Sequence, residues 1–427
     1  MSAAGEEAPP RLVDRIDRLL IPARTTVYPW VVLILWPVAW ALRMAFGPDP
    51  VLVDFVARWT GGRMVVERPP SQLYRPEVQQ QYQDHLFGEA GAVSWFVGPP
   101  SEAVALVPLG VLPYPVAAVL WTALSLAALV LSLFMLRDVV RPQPVQWRRF
   151  VVIVAAAVPT MELLFSGQSS AFVLLWLALA HRACTRGRFF LAGLIFSLAL
   201  VKPHLVLLVP LLWLLERRWT ALLGILVGWL GAFVVSSAVL GPRSWLQWVA
   251  ALQSDLYVGG VNVGQTMKNA GLVGLLTPWL PESGWAPTSM VVVSLLAGAM
   301  AVVLVWRKAA DPSLRWWMVV FVSLVVAPHA MVYDIVLAVP AIGLALARWW
   351  APRMRVTVAI TWVLFWVVPP LSIALSQIGA PGALAATPWH GVPLVILLGL
   401  ILSTLGEGDE CLTRPRPSYA RDLRASR

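Results

Sequence analysis

The chain has 427 residues, of which 59% are hydrophobic and 13% charged, with a formal net charge of +10. Soluble domains carry roughly a quarter charged residues, so disorder, a collagen repeat and a conventional cytosolic enzyme are excluded. The apolar residues fall in long uncharged blocks, each near the roughly 20 residues that cross a bilayer core, which marks an all-α polytopic membrane protein.

In chain order, residues 1–26 form a mixed-charge segment. Leu12, Val13, Ile16, Leu19 and Leu20 fall on one helical face, with Arg11, Asp14, Arg15 and Arg18 on the other. That pattern predicts an interfacial helix on the anionic cytoplasmic leaflet rather than a signal peptide. About 12 spans are predicted within 27–405: 27–46, 114–136, 149–165, 169–184, 187–201, 203–215, 219–240, 289–306, 315–328, 332–348, 354–376 and 389–405. With this number, the basic loops at Arg137 to Arg149, Arg182 to Arg188, Arg217 with Arg218, Arg307 to Arg315 and Arg348 to Arg355 share one side with the N-terminus and the basic tail 406–427. The positive-inside tendency makes that side cytoplasmic, in a plasma membrane. The large loops 47–113 and 241–288 then lie outside.

The first of these loops carries Pro69-Pro70, Gly98-Pro99-Pro100 and Pro113, which predicts short interfacial helices. Ala103 to Leu112 is apolar but too short to cross. The spans 187–201 and 203–215 are short and meet at Lys202-Pro203. A broken helix at membrane depth is tolerated only where it lines protein or a wet cavity. Cys184 and Cys411 show no disulfide or zinc spacing.

Asp54 sits in Val51-Leu52-Val53-Asp54-Phe55-Val56, just past the first span. An acid among apolar neighbours suits a general base working near neutrality; a solvated acid or a helix N-cap fits the same spacing. Lys202, at the outer end of a short span, runs against the positive-inside tendency. It either meets an anion such as a lipid phosphate or snorkels to headgroups. His329 and Asp334 concentrate polarity in the turn Ala327-Pro328-His329-Ala330-Met331-Val332-Tyr333-Asp334, with His329 a donor to phosphate and Asp334 an orienting group. Ser166-Gly167-Gln168-Ser169 is a polar turn, and Lys268 lies in the second large loop with Arg243, Trp245, Trp248, Asn262, Gln265 and Asn269. Asp54, Gln168, Lys202, Lys268 and His329 come from five parts of the chain, yet the predicted topology gathers them at one face, which implies a site there. No P-loop, GxGxxG, HExxH or GxSxG pattern occurs, and the positive charge is spread over loops rather than gathered into a nucleic-acid-reading surface.

Asp54-Phe55 after the first span, Leu73-Tyr74 in the first outer loop, Gly167-Gln168 opening a span, Lys202-Pro203 ending another, and Gly241 followed four residues later by Trp245 together resemble glycosyltransferase family 87. This family comprises GT-C enzymes that take a sugar from a polyprenyl-phosphate carrier, among them mannosyl- and arabinofuranosyltransferases of the cell envelope. Arg58-Trp59 stand where the family often has a Tyr-rich stretch. The resemblance implies a GT-C-like bundle with an extracytoplasmic site and Asp54 as catalytic aspartate. Lys202 and His329 would lie near the donor phosphate, with Gln168, Lys268 and Arg58 as further donor-binding residues. The implied partners are a polyprenyl-phosphate sugar, a glycolipid or glycan acceptor, and membrane lipids. Transfer is expected to invert the anomeric centre, with mannose the expected sugar. It needs no cofactor, and no metal, because the donor lacks a diphosphate. A secondary transporter or flippase is the competing reading, motivated by the Pro-broken spans, although no internal repeat supports it.

Overall fold

The computed structural model describes residues 11–46, 52–88, 94–140, 144–254, 268–281, 285–348, 352–378, 382 and 387–405. Among them the only β pairing is an isolated antiparallel bridge between Asn269 and Met331; the rest is helices and their connections. The many prolines are compatible with this because they start helices. Proline opens Pro76–Phe87, Pro100–Ala105 and Pro312–Val326, and is the second residue of Val158–Ser166, Val209–Leu215 and Ala286–Lys308. There its missing N–H would have no partner anyway.

Among the described residues four helices are long and apolar enough to cross a membrane, within Ala23–Leu42, Tyr114–Val140, Trp219–Leu240 and Thr288–Lys308. Gln146–Ala155 and Val158–Ser166, bent by 49°, make a fifth if taken as one broken span. Ser170–Thr185, Phe189–Ala199, Pro312–Val326, Val332–Ala347 and Gly391–Thr404 are apolar but shorter. The expected span 149–165 is thus bent in its middle. The expected span 203–215 is not one helix: it is a 3-10 turn, Pro203–Leu205, followed by Val209–Leu215. Seven helical residues reach only about 10 Å, and Pro203 and Pro210 prevent a continuous backbone ladder.

Pro312–Val326 is the central element. Every residue from Trp316 to Val326 is buried, as expected of a helix that is apolar all round. The outer helices present lipid-like surfaces instead: Trp219–Leu240 exposes Leu223, Leu226, Leu230, Val234 and Val235, a face that water would not tolerate at this extent. That helix packs closely on Phe189–Ala199. A Cβ on Gly193 would lie 1.9 Å from the Ala221 carbonyl oxygen, and one on Gly224 would lie 2.2 Å from that of Phe190. Small residues allow this backbone approach, as membrane helix pairs require.

Contacts between loops show which ends of the helices lie together. Arg315 donates to Glu216 at 2.6 Å, His181 lies 3.1 Å from the Ser313 hydroxyl, and Arg182 is 3.8 Å from Asp138. The basic loops near 138, 182, 216 and 313 therefore share one end of the bundle. The Gly167–Ser170 turn is at the other, about 20 Å away along Ser170–Thr185. The N-terminal segment is helical over Leu12–Asp17, and Asp17 accepts from Arg355 at 2.8 and 2.5 Å. Val13, Ile16 and Leu20 are half-buried, while Leu12 and Leu19 stay exposed. The tail 406–427 lies outside the described residues.

The first large loop folds as short helices, as its turn residues predict: Val53–Glu67, the 3-10 turn Pro70–Gln72, Pro76–Phe87, Pro100–Ala105 and Val107–Gly110. Two glutamines strap an extended stretch to it. The buried Gln79 amide accepts from the Phe96 N–H at 2.7 Å and donates to the Phe96 carbonyl at 3.1 Å. Gln83 pairs likewise with Ser94, at 3.1 and 2.7 Å. The Tyr74 hydroxyl donates to the Gly98 carbonyl at 2.9 Å. Burial, helped by the charge of Glu102, holds that phenol protonated well above its ordinary range. Leu73-Tyr74 is therefore a structural pair that carries the chain to Glu102.

Candidate functional site

The site begins at a strained helix start. Leu52, buried and non-glycine, has φ 61°, a conformation that costs an L-residue about 1–2 kcal/mol. It turns the chain so that Val53–Glu67 begins with Asp54 in its first turn. Phe55, fully buried, stacks between Trp121 and Tyr114 with centroids 4.9 and 6.0 Å away. Facing it is Gly167, with φ +71°; a Cβ there would sit 2.6 Å from the Phe55 Cβ. The Trp121 indole donates to the Gly167 carbonyl at 2.8 Å. Asp-Phe and Gly-Gln are thus the two sides of one contact, in which the phenylalanine fits only against a glycine.

That contact delivers Gln168 to Asp54. The Gln168 Nε2 donates to Asp54 Oδ2 at 2.7 Å. Arg58, one turn after Asp54, donates through Nη2 to Gln168 Oε1 at 3.2 Å and to the Ser169 hydroxyl at 3.3 Å. Its Nη1 reaches the Asp54 carbonyl oxygen at 3.1 Å, and its Nε reaches Glu102 Oε1 at 3.2 Å. Arg58 was expected among donor-binding groups; the structure commits all three of its nitrogens to the protein. Glu102 joins the site without a signal in the sequence, where it is a single acid at the head of an apolar stretch.

The second half of the site hangs from the same turn. Ser170 donates to Asp334 Oδ1 and accepts from Lys202 Nζ at 3.0 Å. Lys202 Nζ also lies 2.8 Å from Asp334 Oδ1 and 4.7 Å from the centre of the Tyr333 ring. The Met331 N–H donates to Asp334 Oδ2 at 3.0 Å. Lys202 and Asp334 are both buried, so each supplies the counter-charge that makes burial of the other tolerable. Asp334 orients its neighbours, as its place in the turn suggested. Ser170 carried no sequence signal beyond its position two residues after Gln168.

His329 is half-buried, with its ring edge-on to His204 at 6.0 Å. Asn269 ties the second large loop to this turn. Its amide donates to the Pro328 carbonyl at 3.0 Å, and its Oδ1 accepts from the Ala330 N–H at 3.0 Å. Lys268, adjacent to Asn269, is exposed beside the His329 turn. Asp54, Gln168, Lys202, Lys268 and His329 therefore gather at one end of the bundle, and the charges of Arg58 and Asp54 both act on the Lys202 ammonium. Trp245 stands apart in a structural role: its indole donates to Ser236 at 3.1 Å, and its ring packs on Phe233 and Trp248. Trp248 donates to the Val97 carbonyl at 3.0 Å and holds the strapped segment in place.

Comparison with known proteins places this arrangement in a family. The model of glycosyltransferase family 87 matches residues 96–331, more than half of the chain. The match takes in Glu102, Gln168, Ser170, Lys202, Lys268 and His329; Asp54 and Arg58 precede it. No curated protein and no solved structure matches the chain. With its apolar helices and the extent of that match, the chain belongs to glycosyltransferase family 87 and is a membrane glycosyltransferase.

Proposed function

We propose that the protein is an inverting glycosyltransferase that moves a sugar, mannose in the first instance, from a polyprenyl-phosphate carrier to a hydroxyl of a glycolipid or cell-wall glycan. The reaction takes place at the outer face of the plasma membrane, with both termini cytoplasmic. The observation that carries this reading is the state of Asp54. Its Oδ2 is held by Gln168, no hydrogen bond reaches its Oδ1 among the described residues, and the 168–170 turn that holds it also holds the buried Lys202–Asp334 pair through Ser170.

In this reading Asp54 Oδ1 takes the proton of the acceptor hydroxyl while the hydroxyl oxygen attacks the anomeric carbon. The bond from that carbon to the phosphate oxygen breaks, and the polyprenyl phosphate leaves with the electron pair. One displacement inverts the centre. A single carboxylate suffices because the leaving group is already an anion, so the paired acids of a glycosidase are unnecessary. Lys202 gives two of its three N–H groups to Asp334 and Ser170 and frames the site, with His329 and Lys268 beside it to receive the phosphate. The reaction draws on no metal or cofactor. Family membership supports sugar transfer over the transporter reading.

The test is Asp54→Asn in purified full-length enzyme with a radiolabelled polyprenyl-phosphate mannose. Loss of a general base lowers kcat by about 10²- to 10⁴-fold. Undiminished transfer removes Asp54 from the reaction.

A further inference from the structure

Gln168 lies between two groups with opposite and fixed hydrogen-bonding characters. Arg58 can only donate, and ionised Asp54 can only accept. The amide of Gln168 has one end of each kind, and the structure uses both: Oε1 faces the Arg58 Nη2 at 3.2 Å, and Nε2 faces Asp54 Oδ2 at 2.7 Å. Turned the other way, the amide would set its NH2 against a guanidinium and its oxygen against a carboxylate. Arg58 therefore dictates which end of Gln168 Asp54 meets.

Arg58 could have paired with the Asp54 carboxylate directly, since the two are one helical turn apart. Instead its charge is met by Glu102, both side chains being 14% and 11% exposed. Asp54 gives Arg58 only its backbone carbonyl oxygen. Among the described residues this arrangement leaves the carboxylate one neutral partner, on Oδ2, and no hydrogen bond on Oδ1. It parallels a general base oriented by a third group.

On the reading of Asp54 as the base, we propose that Gln168 is the positioning residue for that base, and that the Arg58–Glu102 pair sets the direction of its amide. Gln168 and Arg58 act through Asp54 and touch neither donor sugar nor phosphate.

A double-mutant cycle tests this in full-length enzyme with radiolabelled polyprenyl-phosphate mannose. Gln168→Met keeps the side-chain length and removes both hydrogen bonds. Its kcat falls by about 10²-fold, the loss expected when a reacting group is misplaced by about an ångström, while KM for the donor changes less than twofold. In an Asp54→Asn background the same substitution has no further effect, because the group it orients is gone. Glu102→Gln, which frees Arg58 to turn on the Asp54 carboxylate, lowers kcat in the same pattern and serves as the second variant should Gln168→Met fail to fold. An equal loss from Gln168→Met in both backgrounds, or a rise in donor KM at unchanged kcat, overturns the proposal. If Asp54→Asn alone keeps full activity, the base assignment fails first, whatever Gln168 does.

Discussion

Lys202 and Asp334 are separated by 132 residues of chain, yet their charged groups lie 2.8 Å apart with side chains 10% and 1% exposed. Replacing one partner leaves the other buried and uncompensated, which costs about 3–5 kcal/mol. Lys202→Met is expected to lower the thermal midpoint of the detergent-solubilised protein markedly. The double variant Lys202→Met, Asp334→Leu should recover part of that loss by removing the unpaired charge, the remainder being the Ser170 hydroxyl and the Met331 N–H left without their acceptor.

Gly167 and Gly187 both have φ +71°, but only Gly167 is crowded: an added Cβ would meet Phe55 at 2.6 Å, whereas Gly187 faces open space. Alanine at either position pays the backbone strain of about 1–2 kcal/mol. Gly167→Ala should in addition push Phe55 and Asp54 away from the turn. Comparing the two variants by thermal unfolding and by transfer rate isolates that clash, and Gly187→Ala is expected to keep its kcat.

Gln79→Leu removes three hydrogen bonds from a buried side chain and leaves the Leu73 and Phe96 carbonyls and the Phe96 N–H without it. An unsatisfied buried polar group costs about 1–3 kcal/mol. The expected outcome is local: faster proteolysis within 94–99 and a lower transfer rate, because the same strap leads into Glu102. Unchanged proteolysis would mean that the aromatic contact of Tyr74 with Phe96 is sufficient by itself.

Asp17 is held below its ordinary carboxylate range first by its hydrogen bonds from Arg355 and then by that charge, against an opposing effect of burial. A depressed carboxylate contributes stability that is present above its unfolded value, near 3.8, and lost as pH falls through the lower folded value. Hydrogen exchange over residues 11–20 should stay slow at neutral pH and rise only in strong acid. In Arg355→Gln it should be fast at neutral pH already. Protection that persists in that variant would assign the docking to Val13, Ile16 and Leu20 instead.

Much of the site was legible because membrane burial makes polarity conspicuous. Asp54, Gln168, Lys202 and His329 stand out in apolar surroundings, and the parity of the basic loops puts them at one end, as the cross-loop contacts at Glu216 and Ser313 support. What each side chain holds was not legible. Arg58 reads as a ligand for an anion, yet Glu102, 44 residues on, claims it; such pairings depend on how loops cross, which composition does not encode. Helix continuity was also hidden. Hydropathy reports burial and is silent on the ladder, so 203–215 reads as one span although the turn at 206–208, just ahead of Pro210, divides it.

Gln168, Ser169 and Ser170 are consecutive, and through them one short turn touches Asp54, Arg58, Lys202 and Asp334. The two halves of the site are consequently geared together. A substitution at Asp334 that displaces Ser170 is therefore expected to shift Gln168, two peptide bonds away, and with it the one hydrogen bond that holds the Asp54 carboxylate among the described residues.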